Sequence, residues 1–156
     1  MSQQALEDFG AYRKAKELFD LVVADMGELR GDPRCHRLIA QQVASADSVC
    51  ANIEEGYGRL SRAEYIRFLD FSRGSARETR GRYERLKHWL RPDIIYQRVM
   101  LLADEIISIL TKTITTLQQQ LQKPRSNTNY YLRENASIPT SDECVQPPRH
   151  CVAHRR

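Results

Sequence analysis

The sequence predicts an all-α protein: an antiparallel up-down-up-down four-helix bundle followed by a disordered C-terminal tail. Apolar residues recur at three- and four-residue spacing along four long segments. Gly and Pro punctuate the joints between those segments, and no strand-like alternation of useful length occurs. Short joints between long amphipathic rods place neighbours antiparallel.

The first helix is expected from about Ala5 to Leu29. Leu6, Phe9, Tyr12, Phe19, Val22, Val23 and Met26 form its apolar stripe, with Lys14, Glu17, Asp20 and Asp25 largely off it. Gly27, Gly31 and Asp32-Pro33 break it. Asp32 ahead of Pro33 is also the chemistry of a helix start, where a missing amide matters least.

The second helix is expected from about Pro33 to Glu55, with Ile39, Val43, Ala46, Cys50 and Ile53 facing the core. At 100° per residue, Gln41, Ser45, Ser48, Asn52 and Glu55 make a polar, nearly uncharged stripe on roughly the opposite side. A solvated face usually carries more Lys and Glu, so either close packing with hydrogen bonding or an ordinary exposed face fits this stripe. Gly56 and Gly58 flank Tyr57 where this helix stops, and the backbone there is expected to need positive φ.

Ser61, with Glu64 three residues on and Tyr65, Phe68 and Leu69 following, has the pattern of a capping box. The third helix is expected from about Arg62 to Leu90, burying Tyr65, Phe68, Leu69, Ser72, Ala76, Thr79, Tyr83, Leu86 and Leu90. Arg62, Arg73, Arg77, Arg80 and Arg91 run beside that stripe, and Arg82, Arg85 and Lys87 add to them. Between Arg59 and Arg91 nine Arg and one Lys stand against four carboxylates, whereas the whole chain carries only +4. Positive charge is therefore gathered on one helix, in a form suited to phosphates and carboxylates alike. Gly74 and Gly81 interrupt the same helix; each costs about 1 kcal/mol relative to Ala, which implies a backbone or subunit packed against them.

Arg91-Pro92-Asp93 separates the third helix from a fourth, about Asp93 to Leu121. Its stripe is Ile95, Val99, Leu102, Ile106, Ile109, Leu110, Thr113, Leu117 and Leu121, and its Thr- and Gln-rich second half is expected to fray. Residues 5–122 form the bundle domain in this reading. From 123 to 156 Asn, Ser, Thr, Pro and scattered Arg dominate, the composition of a disordered polar tail.

With no apolar run of eighteen residues and no signal-like N-terminus, a cytoplasmic protein without membrane contact is expected. Cys35, Cys50, Cys144 and Cys151 form no CxxC pair and read as free thiols. The tail segment CVQPPRHC matches no common zinc spacing, so neither a metal nor a cofactor is expected. His36, His88, His150 and His154 converge with no nucleophile, and Glu84 with His88 has no second copy to complete a di-iron bundle. No catalytic residue is assigned.

Leu38, Gln41, Ser48, Asn52-Ile53, Glu55-Gly56, Arg59, Ser61, Glu64-Tyr65, Arg67-Phe68-Leu69, Gly74-Ser75 and Glu78 closely resemble the signature of a bacterial four-helix-bundle family. That family is named after proteins encoded in intervening sequences of 23S ribosomal RNA, and its relatives include accessory variability proteins of diversity-generating retroelements. The resemblance spans about Phe9 to Leu121. It implies a ring-shaped homopentamer with a basic surface and no catalysis, which in the retroelement branch binds a reverse transcriptase and nucleic acid. Ala44, Cys50, Glu54 and Ser72 depart from the family pattern, and the missing basic residue at 44 weakens a nucleic-acid role for the second helix.

Two functions follow as expectations. In one, a pentamer meets RNA or DNA phosphates through Arg62, Arg73, Arg77, Arg80, Arg82, Arg85 and Lys87, with base stacking secondary because few exposed aromatics are predicted nearby. In the other, the same row serves subunit contacts or an acidic partner. Gln41, Ser48, Asn52, Glu55, Arg59, Gly74 and Gly81 are the expected contacts between helices or subunits in either case.

Overall fold

A computed structural model of the chain describes residues 3–87, 89–90 and 94–122. These residues form a short α1 (Gln3–Glu7) and four long helices, α2 (Gly10–Glu28), α3 (His36–Tyr57), α4 (Arg62–Leu86) and α5 (Ile94–Gln122). No strand occurs among them. The tail from 123 onward, with Cys144, Cys151 and CVQPPRHC, lies outside the described residues, as does His88.

Helix directions follow from which residues meet. Gln42 and Ser45 of α3 meet Thr79, Val49 meets Ser72, and Gly56 meets Phe68. Rising numbers on α3 thus pair with falling numbers on α4. The same opposition joins α4 to α5 through Arg62 with Gln120, Arg73 with Thr111 and Arg80 with Asp104. It joins α2 to α5 through Lys14 with Glu105 and Glu17 with Arg98. Each long helix packs against two others, α2 against α3 and α5, α4 against α3 and α5. That is the expected antiparallel bundle.

The shared core contains Tyr12, Leu18, Val22 and Met26 of α2, Val49 and Ile53 of α3, Leu69 and Tyr83 of α4, and Leu102, Ile106 and Leu110 of α5. Full burial of such side chains contributes about 1.5–3 kcal/mol each. Leu18 and Ile66 are buried although the expected stripes omit them, while Val23, expected inside, is 37% exposed.

The first predicted helix is divided. Phe9 takes an extended backbone (φ −70°, ψ 114°) and opens α2, with its ring packed on the core. Gly10, a poor helix former, follows at that joint. At the next joint the prediction holds: Asp32 Oδ1 accepts the Arg34 amide at 2.9 Å and Pro33 occupies the first turn. That turn, Pro33–Cys35, is a 3₁₀ helix leading into α3.

Gly56 and Gly58 act otherwise than expected. Gly56 lies within α3, and Gly58, its C-cap, has φ −77°, so neither adopts positive φ. Instead, a Cβ at Gly56 would lie 2.8 Å from Phe68 Cβ. Glycine there permits close approach of α3 to α4.

Ser61 starts α4 as predicted, its Oγ accepting the Glu64 amide at 3.1 Å and donating to Glu64 Oε2 at 3.2 Å. The helix ends at Leu86, earlier than expected, where the Leu86 carbonyl accepts both the Trp89 and Leu90 amides. The end of α5 stays helical to Gln122, with the hydroxyls of Thr111, Thr113, Thr115 and Thr116 each bonded to the carbonyl four residues earlier.

Candidate nucleic-acid interface

A polar seam fixes how α4 presents its arginines. Ser72 Oγ donates to the Val49 carbonyl at 2.8 Å, Gln42 Nε2 donates to the Thr79 carbonyl at 3.2 Å, and Thr79 Oγ1 bonds Ser45 Oγ at 3.1 Å. Gln42, Ser45, Ser72 and Thr79 are all buried. Buried polar groups require such partners, so the seam locks the rotation of α4 about its axis. Ser45 thus belongs to a packed contact, as one reading of the polar stripe had it. Gln42, overlooked because it is polar, shares the spacing of Ala46, Val49 and Ile53.

The predicted basic row divides in two. Arg73 bonds Asp70 at 2.5 Å and Thr111 at 3.4 Å, and Arg80 reaches Asp104 of α5 at 2.7 Å. Arg82 is bonded to Glu78 and donates to Gln41 Oε1 at 2.6 Å; Lys87 bonds Glu84 at 3.1 Å. Lys87 and the Tyr96 hydroxyl hold the Glu84 carboxyl below its ordinary range, the Tyr96 hydrogen bond contributing most. Arg73, Arg80, Arg82 and Lys87 are therefore neutralised locally. Such surface pairs contribute little stability, yet they reduce the charge offered to a polyanion.

The other part is open. Among the described residues Arg62 meets only the neutral Gln120 amide oxygen, at 3.2 Å. Arg77 and Arg85 are exposed and have no carboxylate partner among the described residues. Arg67, absent from the predicted binding row, is exposed too, its guanidinium 5.3 Å from the Phe71 ring centroid. At 100° per residue, Arg67, Gly74 and Arg85 fall within about 20° of one another on the outward face of α4. Arg91 lies outside the described residues.

Among the described residues two exposed aromatics accompany these arginines. Phe71 is 45% exposed beside Arg67, and Trp89 is 42% exposed where α4 ends. The signal for Phe71 was its place off the core stripe.

The predicted contact residues take several positions. Gln41 bridges α3 to α4 through Arg82. Ser48 Oγ donates to the Ala44 carbonyl at 2.8 Å and Asn52 Nδ2 to the Ser48 carbonyl at 2.7 Å, both within α3. Glu55 pairs with Arg59, whose guanidinium lies 4.8 Å from the Phe68 ring centroid. Around Gly74 a Cβ would meet nothing within 4 Å, and at Gly81 only Arg85 Nη1 at 3.5 Å. Among the described residues no backbone packs against either glycine.

Two titratable groups elsewhere, Tyr12 and Cys50, are shifted by their surroundings. Tyr12 donates to Glu54 Oε1 at 2.6 Å, which raises its phenol well above the ordinary range. Cys35 and Cys50 are free thiols, and burial, aided by Glu54 and Asp47, pushes Cys50 up to about 12. Among the described residues no three of His, Cys, Asp or Glu converge as metal ligands, and no helix is long and apolar enough to cross a membrane.

Residues 7–90 match the pattern of the 23S rRNA-intervening sequence protein family. The chain belongs to that family. The match spans α2, α3 and α4, including the seam and the arginine-bearing face. Among solved structures, a protein of unknown function from the S23 ribosomal protein family of Bacteroides thetaiotaomicron is similar. It is 25% identical, with a TM-score of 0.61 over 67% of this chain and 97% of that one. A comparison with curated proteins returned no match. The intervening-sequence family's description names no reaction.

Proposed function

We propose that this chain is a non-enzymatic, self-assembling accessory protein, a homopentamer, whose α4 arginines bind the phosphates of RNA or DNA. One observation carries the reading: Arg67, Arg77 and Arg85 stand exposed on α4 with no carboxylate partner among the described residues. Guanidiniums that are free of internal pairing keep their full charge for an outside anion. Repetition around a ring multiplies a modest patch into a positive surface, and phosphate contacts of this kind give affinity without sequence choice. The open surroundings of Gly74 support self-association at the middle of α4, about 10 Å or more along the axis from Arg67 and from Arg85. The ribosomal RNA in the family's name, and the ribosomal label of the Bacteroides relative, agree with an RNA ligand.

Filter binding of structured RNA at two salt concentrations tests the reading. Log affinity is expected to fall by about 0.9 per neutralised phosphate for each log unit of salt on a duplex. No binding at low salt, or binding indifferent to salt, rejects it.

A second reading has an observation of its own. Arg73, Arg80 and Arg82 tie α4 to α5 and α3 through Thr111, Asp104 and Gln41. On that basis the basic residues serve the bundle and its assembly, and the protein is an interaction scaffold. Co-purification with an acidic partner, a reverse transcriptase included, without nucleic-acid binding is the outcome that selects it.

A further inference from the structure

A cavity of about 400 Å³ opens at the end of α4, lined by Leu38, Arg82, Arg85, Leu86 and Trp89. Its volume lies within the roughly 300–1,000 Å³ common for small-molecule sites. Leu86 is 1% exposed and makes an apolar floor with the half-buried Leu38. Trp89, 42% exposed, contributes an aromatic wall. Arg82 is held in place by Glu78 and Gln41, whereas Arg85 has no carboxylate partner among the described residues.

A flat aromatic surface above an apolar floor, rimmed by guanidiniums, complements a ligand that joins a planar ring to an anion. An apolar peptide would leave the charge of Arg85 unanswered. A carboxylate alone would leave the apolar floor of Leu38 and Leu86 unfilled. A nucleotide answers both.

We propose that this cavity receives one unstacked nucleotide of a single-stranded nucleic acid, its base against Trp89 and its phosphate at Arg85. The proposal rests on the nucleic-acid reading above and adds that the bound form is single-stranded at this point. Base stacking on an aromatic ring is sequence-tolerant, since every base has a π-face. The strand continues along α4 toward Arg77, eight residues and about 12 Å away at 1.5 Å per residue.

The chain holds one tryptophan, so Trp89 reports on its own cavity. Intrinsic fluorescence of the full chain is titrated with a uridine homopolymer, a thymidine homopolymer and a blunt RNA duplex, with filter binding in parallel. Both single strands are expected to quench the emission saturably at the midpoint read by filter binding, and the duplex to leave it unchanged. Preference for the uridine strand makes RNA the ligand; equal quenching makes the site indifferent to the sugar. Trp89→Ala is expected to weaken single-strand binding about tenfold, within the range that a stacked base contributes, and Trp89→Phe to restore most of it. Tight filter binding of single strands with unchanged emission, or with full affinity in Trp89→Ala, overturns the cavity proposal and leaves the phosphate reading standing. Absence of all binding at low salt defeats both.

Discussion

Gly56 and Phe68 mark a close approach of α3 and α4: a methyl group at Gly56 would lie 2.8 Å from Phe68 Cβ and 3.2 Å from Tyr65 Cδ2. Neither the Phe68 Cβ nor the backbone carrying it can yield without shifting a helix. Gly56→Ala is therefore expected to destabilise the fold by about 1–3 kcal/mol, the usual range for overpacking. Gly58→Ala is the control. Its φ of −77° suits any residue, and its nearest neighbour, the Glu55 carbonyl at 3.6 Å, is at ordinary distance. That change is expected to be neutral or to stabilise by about 0.4–1 kcal/mol through the unfolded chain. Urea unfolding of both variants checks the contrast.

Gly74 has no neighbour among the described residues that a side chain would meet, and the assembly proposed above assigns that open space to a second subunit. Gly74→Leu is expected to break the assembly while raising helix propensity, and Gly81→Leu to act in the same direction. Light scattering gives the mass and circular dichroism the helicity. Unchanged mass in both variants contradicts the packing role assigned to these glycines.

Cys50 is half-buried, and its thiol is pushed up to about 12 by burial, then by Glu54 and Asp47. Only the thiolate is nucleophilic, and a raised value keeps it scarce at neutral pH. Alkylation at pH 8, mapped by peptide, is expected to label Cys50 more slowly than an unfolded control by roughly tenfold or more. Equal rates would show that the α2–α3 contact opens readily.

Asp32 caps the turn before α3, and the Arg34 side chain, then its amide, hold the carboxyl at about 2, below its usual 3.8. A lowered folded value favours the ionised form, so its stabilisation is present above about pH 4 and is lost as pH falls towards 2. The unfolding midpoint of Asp32→Ala is expected to lie below that of the parent at pH 7, with the gap narrowing at pH 3 and below. A gap independent of pH would remove the carboxylate from the explanation.

What the chain revealed in advance was local. Periodicity located the four rods, and short-range cap chemistry placed Asp32 and Ser61 at their starts, because those signals involve residues within one or two turns. Tertiary contacts were not legible in this way. Arg80 looked available because its partner, Asp104, lies 24 positions away on another helix. Gly56 looked like a φ-driven stop, although its cause is Phe68 across an interface. Gln42 went unassigned, since the Thr79 carbonyl that its amide meets lies 37 positions away on another helix. Trp89 could be located beside Arg85 only once the end of α4 was known.

The division of the basic row into paired and open members is the claim on which the functional reading stands, and the salt dependence of RNA affinity measures it directly. A variant carrying Arg67→Gln, Arg77→Gln and Arg85→Gln is compared with one carrying Arg80→Gln and Arg82→Gln, each at several salt concentrations and with its helicity confirmed. The first is expected to lower the salt slope by about 0.9 for each phosphate that its subunits no longer neutralise, and the second to leave the slope nearly intact. A steep slope surviving in the first variant and collapsing in the second would contradict the account.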